Sequence, residues 1–176
     1  STFLILMAIA FLYSITGTLN MHDLSLRLQA APYPKVAGVA FALFIVGFGV
    51  KAALFPLHIW LPDAHSIAPS PVSALLSGLV VKTGLLGILR VISIYKFNGL
   101  ANITPVTTAL AWLGAAAILV GAFSAIFQDD IKMMLAYSTV SNIGYIALGI
   151  GLGSVYGLLG GIIHILNHAI MKVTLF

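Results

Sequence analysis

The sequence predicts an all-α, polytopic bundle of transmembrane helices. Of its 176 residues, 61% are hydrophobic and only 7% are charged, and so few charges cannot cover a water-soluble domain. Apolar stretches recur along the chain, each close to the roughly 20 residues that a helix needs to cross a hydrocarbon core about 30 Å thick. About six such spans with short connections fill the chain, so we expect a multi-pass integral membrane protein.

The first two predicted spans cover residues 2–19 and 36–55, and the polar segment 20–35 connects them. The first span contains no Lys or Arg, whereas a signal peptide would begin with a basic region, so we interpret it as a genuine span. The second span contains Lys51 and must end or break at Pro56. Proline lacks a backbone donor, and its ring clashes with the preceding turn.

The stretch 56–71 is expected to continue the second span as a broken helix. It holds four prolines, two histidines and Asp63, which makes it too polar for a regular span, yet it is too apolar for an ordinary loop. Irregular backbone at membrane depth is tolerated only where protein shields it from lipid. We therefore expect a short helix at membrane depth or at the interface, with the chain re-entering through Pro62 and with Trp60 near the headgroups.

Four further spans are predicted, at residues 71–95, 105–127, 130–151 and from 154 to the end. Pro71 suits the first turn of a helix. Only Gln128, Asp129 and Asp130 connect the fourth span to the fifth, so these two helices should form an antiparallel hairpin. One of the two aspartates is expected to cap the fifth helix.

Lysines inside the spans are the first candidate functional residues, because a charge at the bilayer centre costs about 2.5 kcal/mol or more. Lys82 lies eleven residues after Pro71 and eight before Arg90, which places it mid-span and too deep to reach water easily. Lys51 lies one turn from a helix end, where a lysine often snorkels. A charge beside a helix break is nevertheless typical of ion sites in transporters.

A second candidate cluster consists of His164, His168 and Lys172, whose spacing of four places them on one face of the sixth span. Histidine has an unperturbed pKa near 6.5 and passes protons readily, so the cluster favours a proton relay. Two histidines at this spacing could also bind zinc, but the intervening residues lack the glutamate of the metalloprotease motif, so a metal site is less favoured.

Polar residues near this cluster could hold bridging waters, or they could simply join helices by hydrogen bonds; they are Tyr137, Ser138, Asn142, Tyr145 and Asn167. The chain has no cysteine, which excludes disulfides and thiolate metal sites. Its eight basic residues are spread over the spans and form no solvated basic face, so no nucleic-acid partner is expected.

Two segments carry a resemblance to a known family. Residues 51–64 read KAALFPLHIWLPDA and residues 68–75 read APSPVSAL, with Lys82 beyond them. They resemble the signature of the antiporter-like membrane subunits of respiratory complex I, membrane-bound hydrogenases and Mrp-type cation/proton antiporters. Residues 130–139, DIKMMLAYST, and residues 164–176 resemble the opening of the second repeat of that family.

The resemblance implies a longer protein of about fourteen helices built from two inverted repeats, of which this chain is similar to the sixth to the eleventh. The chain also starts and stops within apolar runs. Residues 1–96 would be the end of the first repeat, with three spans and the helix break, and residues 97–176 the start of the second, with three spans and the last one truncated.

The resemblance also implies roles for individual residues. Lys51 falls on the lysine of the broken helix, and Ser77 departs from members that carry a histidine there, which fits the hydrogenase-like and Mrp-like branches better. The proton-transfer residues would be Lys51, Lys82, His164, His168 and Lys172, with the helix break at Pro56 and Pro62. The supporting polar residues would be His58, Asp63, Ser77, Tyr137, Ser138, Asn142 and Asn167.

The expected function is that of a proton-translocating, non-catalytic subunit coupled to redox chemistry elsewhere in an NADH:quinone oxidoreductase or hydrogenase-type complex, in a prokaryotic cell membrane. No cofactor is implied in this chain, and its partners would be other membrane subunits, the lipid bilayer and H⁺, with Na⁺ as a further candidate ion. The glutamate that partners the broken-helix lysine would lie upstream. An Mrp-type Na⁺/H⁺ antiporter subunit and a structural subunit without transport are the alternatives.

Overall fold

A computed structural model describes residues 1–29, 34–96 and 104–176, and all regular structure in these ranges is helical. The helices are α1 (Thr2–Thr16), α2 (Met21–Gln29), α3 (Pro34–Lys51), α4 (Trp60–Ile67), α5 (Ser70–Leu75), α6 (Val81–Lys96), α7 (Thr104–Ile126), α8 (Ile131–Gly151) and α9 (Val155–Leu175), with a π-helical turn at Leu76–Val80. The all-α prediction is confirmed. The predicted repeat boundary between residues 96 and 97 adjoins 97–103, which lie outside the described residues.

Among the described residues, four helical segments are long and apolar enough to cross a membrane: Ser70–Tyr95, Pro105–Ile126, Ile131–Gly151 and Val155–Leu175. A fifth span results if α1 and the first part of α2, which meet at an angle of 60°, are counted together. The remaining predicted span corresponds to α3, which is 18 residues long and packs between α1 and α6. The described part thus has four or five such spans where the sequence predicts about six.

The N-terminal region differs from the prediction in having a second helix. The first span ends at Thr16, three residues early, because Gly17 takes a left-handed conformation with φ of 66°. The segment expected to be a connection then forms α2. Its Leu24 and Leu28 are buried, and the Arg27 guanidinium donates to the Thr16 carbonyl at 2.8 Å. Packing against α6 therefore supports a helix in an otherwise polar segment.

The helix break lies between Lys51, where α3 ends, and Trp60, where α4 begins. The helix thus ends four residues before the predicted position. The Trp60 indole N–H donates to the Val50 carbonyl at 2.9 Å, so the indole joins the two sides of the break. Pro62 lies in the first turn of α4. Backbone N–H groups there have no acceptor within the helix, so the proline costs no helical hydrogen bond.

The π-helical turn precedes Lys82, and no pattern in the sequence predicts it. The Val81 N–H donates to the Leu76 carbonyl, five residues back rather than four. Short π-helical segments inside α-helices occur frequently at functional sites. The turn lies in the middle of the Ser70–Tyr95 span, so the local distortion occurs at the depth of the buried lysine.

Helices α7 and α8 form the expected antiparallel hairpin. Asp130 caps α8, accepting the Lys132 backbone N–H at 2.9 Å, which confirms the predicted cap. The two backbones approach closely, because a Cβ added to Gly144 would lie 2.7 Å from the Gly114 carbonyl oxygen. Glycine at this contact allows tight packing in lipid, where close van der Waals contact drives helix association.

Candidate functional site

The predicted cluster on α9 forms a ladder of three side chains, His164, His168 and Lys172. The imidazole centroids of the two histidines lie 6.2 Å apart, and the ring planes are nearly parallel at 7°. His168 and Lys172 are only 0% and 1% exposed. From residue 164 to residue 172 a helix rises about 12 Å, so the ladder runs along α9 and therefore across the bilayer.

A row of polar groups on α8 faces the ladder, and we call it the α8 strip: the Leu135 carbonyl, Ser138, Thr139 and Asn142. The Lys172 ammonium group donates to the Leu135 carbonyl at 2.9 Å and to the Ser138 hydroxyl at 2.5 Å. The Asn142 amide donates to the Ser138 carbonyl at 2.7 Å. Two of the predicted supporting residues, Ser138 and Asn142, therefore hold the ladder in place.

The His164 end of the ladder has a defined proton arrangement. His164 Nε2 lies 3.0 Å from the Asn142 Oδ1 atom. An amide oxygen only accepts, so the imidazole carries its proton on Nε2, and Nδ1 of the neutral ring is free to accept another. The Tyr145 ring packs edge-on against the same imidazole at 6.1 Å between centroids.

Lys82 is linked to the α8 strip through Ser77 in the π-helical turn. It is only 5% exposed, and its ammonium group donates to the Ser77 carbonyl in the π-helical turn. The hydroxyl oxygens of Ser77 and Thr139 are 3.1 Å apart, and Thr139 donates to the Leu135 carbonyl at 2.9 Å. That carbonyl also accepts from Lys172, so a continuous series of contacts joins the two buried lysines.

Neither buried lysine meets a carboxylate within 4 Å among the described residues. Their partners are carbonyl and hydroxyl oxygens, which satisfy the ammonium donors but do not neutralise the charge. Burial makes the charged form of a lysine costly, so such a group can gain or lose its proton as its surroundings change. Within the described residues, no three side chains of His, Cys, Asp or Glu are grouped to hold a metal ion.

Lys51 lies apart from this network. It is the last residue of α3 and is exposed in the described structure. The neighbouring backbone packs tightly on α6, because a Cβ added to Gly84 would lie 2.6 Å from the Ala52 nitrogen. The end of α3 is therefore held against α6 two residues from Lys82, and the Lys51 side chain projects from the surface beside it.

The other predicted residues divide into two groups. His58 is buried next to the Phe55 ring, at 5.4 Å between centroids, and Ser77 is fully buried. Tyr137 is half-buried, whereas Asp63 and Asn167 are exposed. Asp63 and Asn167 lie outside the network described above, so the structure does not bring them to the cluster.

Two buried residues near the site, Thr139 and His65, were not predicted from the sequence. Thr139 lies one turn after Leu135, and its place on the helical face of Ser138 and Asn142 was the available signal. His65 is 0% exposed, and its ring stacks on Phe176 at 4.6 Å between centroids. Its position in the broken segment, seven residues after His58, was the only hint.

A groove of about 410 Å³ runs between α8 and α9 from the turn that joins them to His164. Asn142 and Tyr145 line it with four glycines, Gly149, Gly157, Gly160 and Gly161. His164 lies ten positions after Ser154, a rise of about 15 Å along the helix and roughly half of a hydrocarbon core. The groove therefore extends from the His164 end of the ladder to the α8–α9 turn.

Comparisons with known proteins agree on one family. The family described as NADH:quinone oxidoreductase/Mrp antiporter, transmembrane, matches residues 1–176. NADH-quinone oxidoreductase subunit N of Desulforudis audaxviator is 40% identical over 171 residues, which cover 97% of this chain and 34% of that protein. A Na(+)/H(+) antiporter subunit of Alkalihalophilus pseudofirmus is 34% identical over 176 residues, covering 100% of this chain and 35% of that protein.

A solved structure shows the same fold. A chain of the membrane-bound sulfane sulfur reductase, an archaeal respiratory membrane complex, superposes with a TM-score of 0.90 at 37% identity, covering 97% of this chain and 34% of that one. This chain thus spans about a third of the length of the relatives it matches. It is an integral membrane protein and belongs to the NADH:quinone oxidoreductase/Mrp antiporter family of antiporter-like membrane subunits.

Proposed function

We propose that this chain is the central part of a subunit that moves protons across the membrane, driven by redox chemistry in other subunits of its complex. The observation that carries the proposal is the series of contacts from Lys82 through Ser77 and the α8 strip to Lys172 and His164, on which the His168 ring stacks. Ionisable groups at membrane depth are costly and mark ion pathways. We propose no redox cofactor in this chain, because the mechanism needs only side chains that gain and lose protons.

The transfer has a lateral step and an axial step. In the lateral step a proton passes between Lys82 and Lys172 across the α8 strip. Lys82 already donates to the Ser77 carbonyl, and Lys172 donates to the Leu135 carbonyl. In the axial step it moves along α9 through His168 and His164. Two positive charges in one desolvated network oppose each other, so protonation at one lysine favours release at the other.

Lys51 would act as the switch of the mechanism. Its ammonium group would move between an acidic partner outside this chain and the polar network around Lys82 on α6. We expect Lys51→Ala to lower proton translocation several-fold while the complex still assembles, measured with the complete complex in sealed vesicles by a pH-sensitive dye. Lys35→Ala is the matched control, because Lys35 is an exposed lysine in the first turn of the same helix. Equal rates for the two variants would remove Lys51 from the mechanism.

Sodium exchange is the second candidate function, because one relative is a Na(+)/H(+) antiporter subunit. A sodium site needs oxygen ligands, preferably carboxylates. The acids of the chain are Asp23, Asp63, Asp129 and Asp130, and none lies in the network around the buried lysines. We therefore favour protons, and measuring ²²Na⁺ uptake by the same vesicles under an imposed pH gradient tests the choice.

The groove between α8 and α9 is proposed to carry water to His164. Gly160→Leu should fill it and slow proton translocation several-fold, because a Cβ added at Gly160 meets nothing within 4 Å and so strains no neighbour. Gly38→Leu on α3 is the control, since Gly38 is equally open. Stopped-flow measurements with a pH-sensitive dye should give a lower rate of proton translocation for Gly160→Leu than for Gly38→Leu. A Gly160→Leu complex that pumps at the native rate would contradict the role of the groove.

A further inference from the structure

Arg90 is a cation that the proposed relay leaves unused, and its guanidinium lies near a membrane face. It is exposed on α6, six residues before the end of that helix. Its Nε atom donates to the Met21 Sδ atom at 3.4 Å, and Met21 is the first residue of α2, just beyond the end of α1. A thioether is a weak acceptor, and no carboxylate lies within 4 Å of Arg90 among the described residues. The guanidinium donors are therefore available to a ligand.

Two apolar grooves meet at Arg90. One, of about 400 Å³, lies between α6 and the helices α1, α2 and α3, and we call it the α1–α6 groove. The other, of about 590 Å³, lies between α6 and the segment from the end of α8 into α9, and we call it the α6–α9 groove. Arg90 lines both grooves and carries the only charge among the described residues that line them. The pair thus joins two hydrocarbon-lined volumes to a single cation.

Each groove runs from the level of Arg90 into one leaflet of the bilayer. The α1–α6 groove reaches from Met21 to Ile5, and Ile5 lies eleven residues before the end of α1, a distance of about 16 Å along the helix. The α6–α9 groove reaches from Val155, the first residue of α9, to Ile162, about 10 Å along that helix. One leaflet is half of a hydrocarbon core of about 30 Å. The grooves therefore match the direction and depth of lipid acyl chains.

The same membrane face carries an excess of positive charge. Lys35 lies there in the first turn of α3, because the Tyr95 hydroxyl near the end of α6 donates to the Ala37 carbonyl at 3.0 Å. Arg27 lies there on α2, bonded to the end of α1. Asp23 on α2 is the one acid on this face among the described residues. Basic pockets between transmembrane helices bind anionic lipid headgroups, so the charge of the face complements that of an anionic phospholipid.

We propose that the two grooves bind one anionic diacyl phospholipid, with its phosphate on the Arg90 guanidinium and one acyl chain in each groove. The planar guanidinium presents N–H donors in a fork that matches two phosphate oxygens. The apolar walls give the chains close van der Waals contact, which is what holds groups together inside a bilayer. The lipid thus bridges α1 and α9 across α6.

The headgroup contact is tested by lipid retention. The complete complex is equilibrated with phosphatidylcholine vesicles that contain phosphatidylglycerol as a minor component, extracted in mild detergent and examined by native mass spectrometry. We expect Arg90→Gln to lose one bound phosphatidylglycerol per complex. Lys35→Gln is the matched control and should lose none, because it removes the same charge from the same face but lies outside both grooves.

The acyl chains are tested by filling each groove with a larger side chain. Ile9→Trp in the α1–α6 groove and Leu158→Trp in the α6–α9 groove should each lower phosphatidylglycerol retention several-fold. The controls are Leu6→Trp and Leu159→Trp, which place the same ring at exposed positions of α1 and α9 and should retain the lipid. Retention of single-chain lysophosphatidylglycerol should also be several-fold weaker than that of the diacyl lipid in the native complex.

Three results would overturn the proposal. The first is equal phosphatidylglycerol retention in the native complex and Arg90→Gln. The second is equal retention in the groove-filling variants and their controls. The third is a native complex that retains no phosphatidylglycerol, as expected if another helix of the complete subunit fills the grooves. Lipid retention is measured without transport, so the proposal does not rest on the proposed proton translocation.

Discussion

Lys82→Met is expected to reduce proton translocation more than tenfold, to the background of the assay. The methionine keeps an unbranched chain of similar length in the buried site, so the helices can still pack. It removes the ammonium group that donates to the Ser77 carbonyl in the π-helical turn. The lateral step then has no proton carrier on that side.

Lys82→Arg separates proton transfer from fixed charge at the same site. An arginine stays charged in proteins, so it could replace the electrostatic role of Lys82 but could not release a proton. We therefore expect Lys82→Arg to fail as completely as Lys82→Met. Both are measured with the pH-sensitive dye in vesicles and normalised to the amount of assembled complex, with Lys35→Met as control. Full activity of Lys82→Arg would indicate that a permanent charge suffices.

Gly144→Ala is expected to damage assembly strongly, although it is a conservative substitution. One added methyl group would lie 2.7 Å from the Gly114 carbonyl oxygen and 2.8 Å from the Ile118 nitrogen. Both atoms belong to the α7 backbone and cannot turn aside as a side chain would. The hairpin must therefore spread, which loses close packing along α7 and α8 and moves the α8 strip relative to both lysines.

The expected result is a several-fold lower level of intact complex in the membrane, measured by native gel electrophoresis after mild detergent extraction. Gly160→Ala is the matched control, because the same methyl group on α9 meets nothing within 4 Å. Similar complex levels for the two variants would show that the α7–α8 contact relaxes without cost.

Hydropathy and proline positions predicted most of the fold, because they report directly on what a bilayer requires. The long spans and the helix break followed from apolar length and from Pro56 and Pro62. Helix α2 was missed because its sequence is polar, and only the burial of Leu24 and Leu28 against other helices stabilises it. The π-helical turn was missed because its residues, Leu76 to Val80, carry no pattern that distinguishes them from an α-helix.

The candidate site was predictable where spacing along one helix defines it. His164, His168 and Lys172 share a face because residues four apart always do. The partners of the lysines could not be predicted in the same way, because the contact between α6, α8 and α9 depends on tertiary packing. His65 illustrates the limit, since nothing in the sequence brings a residue of the broken segment next to the Phe176 ring.

The two buried lysines share one feature: each ammonium group donates a hydrogen bond to a main-chain carbonyl. Lys82 donates to the carbonyl of Ser77 and Lys172 to that of Leu135. Every amino acid supplies a carbonyl, so these acceptors survive any side-chain substitution at positions 77 and 135. What the lysines require is the path of the backbone, the π-helical turn on one side and the pitch of α8 on the other. Sequences of this family could therefore drift widely at the acceptor positions and keep the same docking geometry, while a single inserted or deleted residue nearby would abolish it.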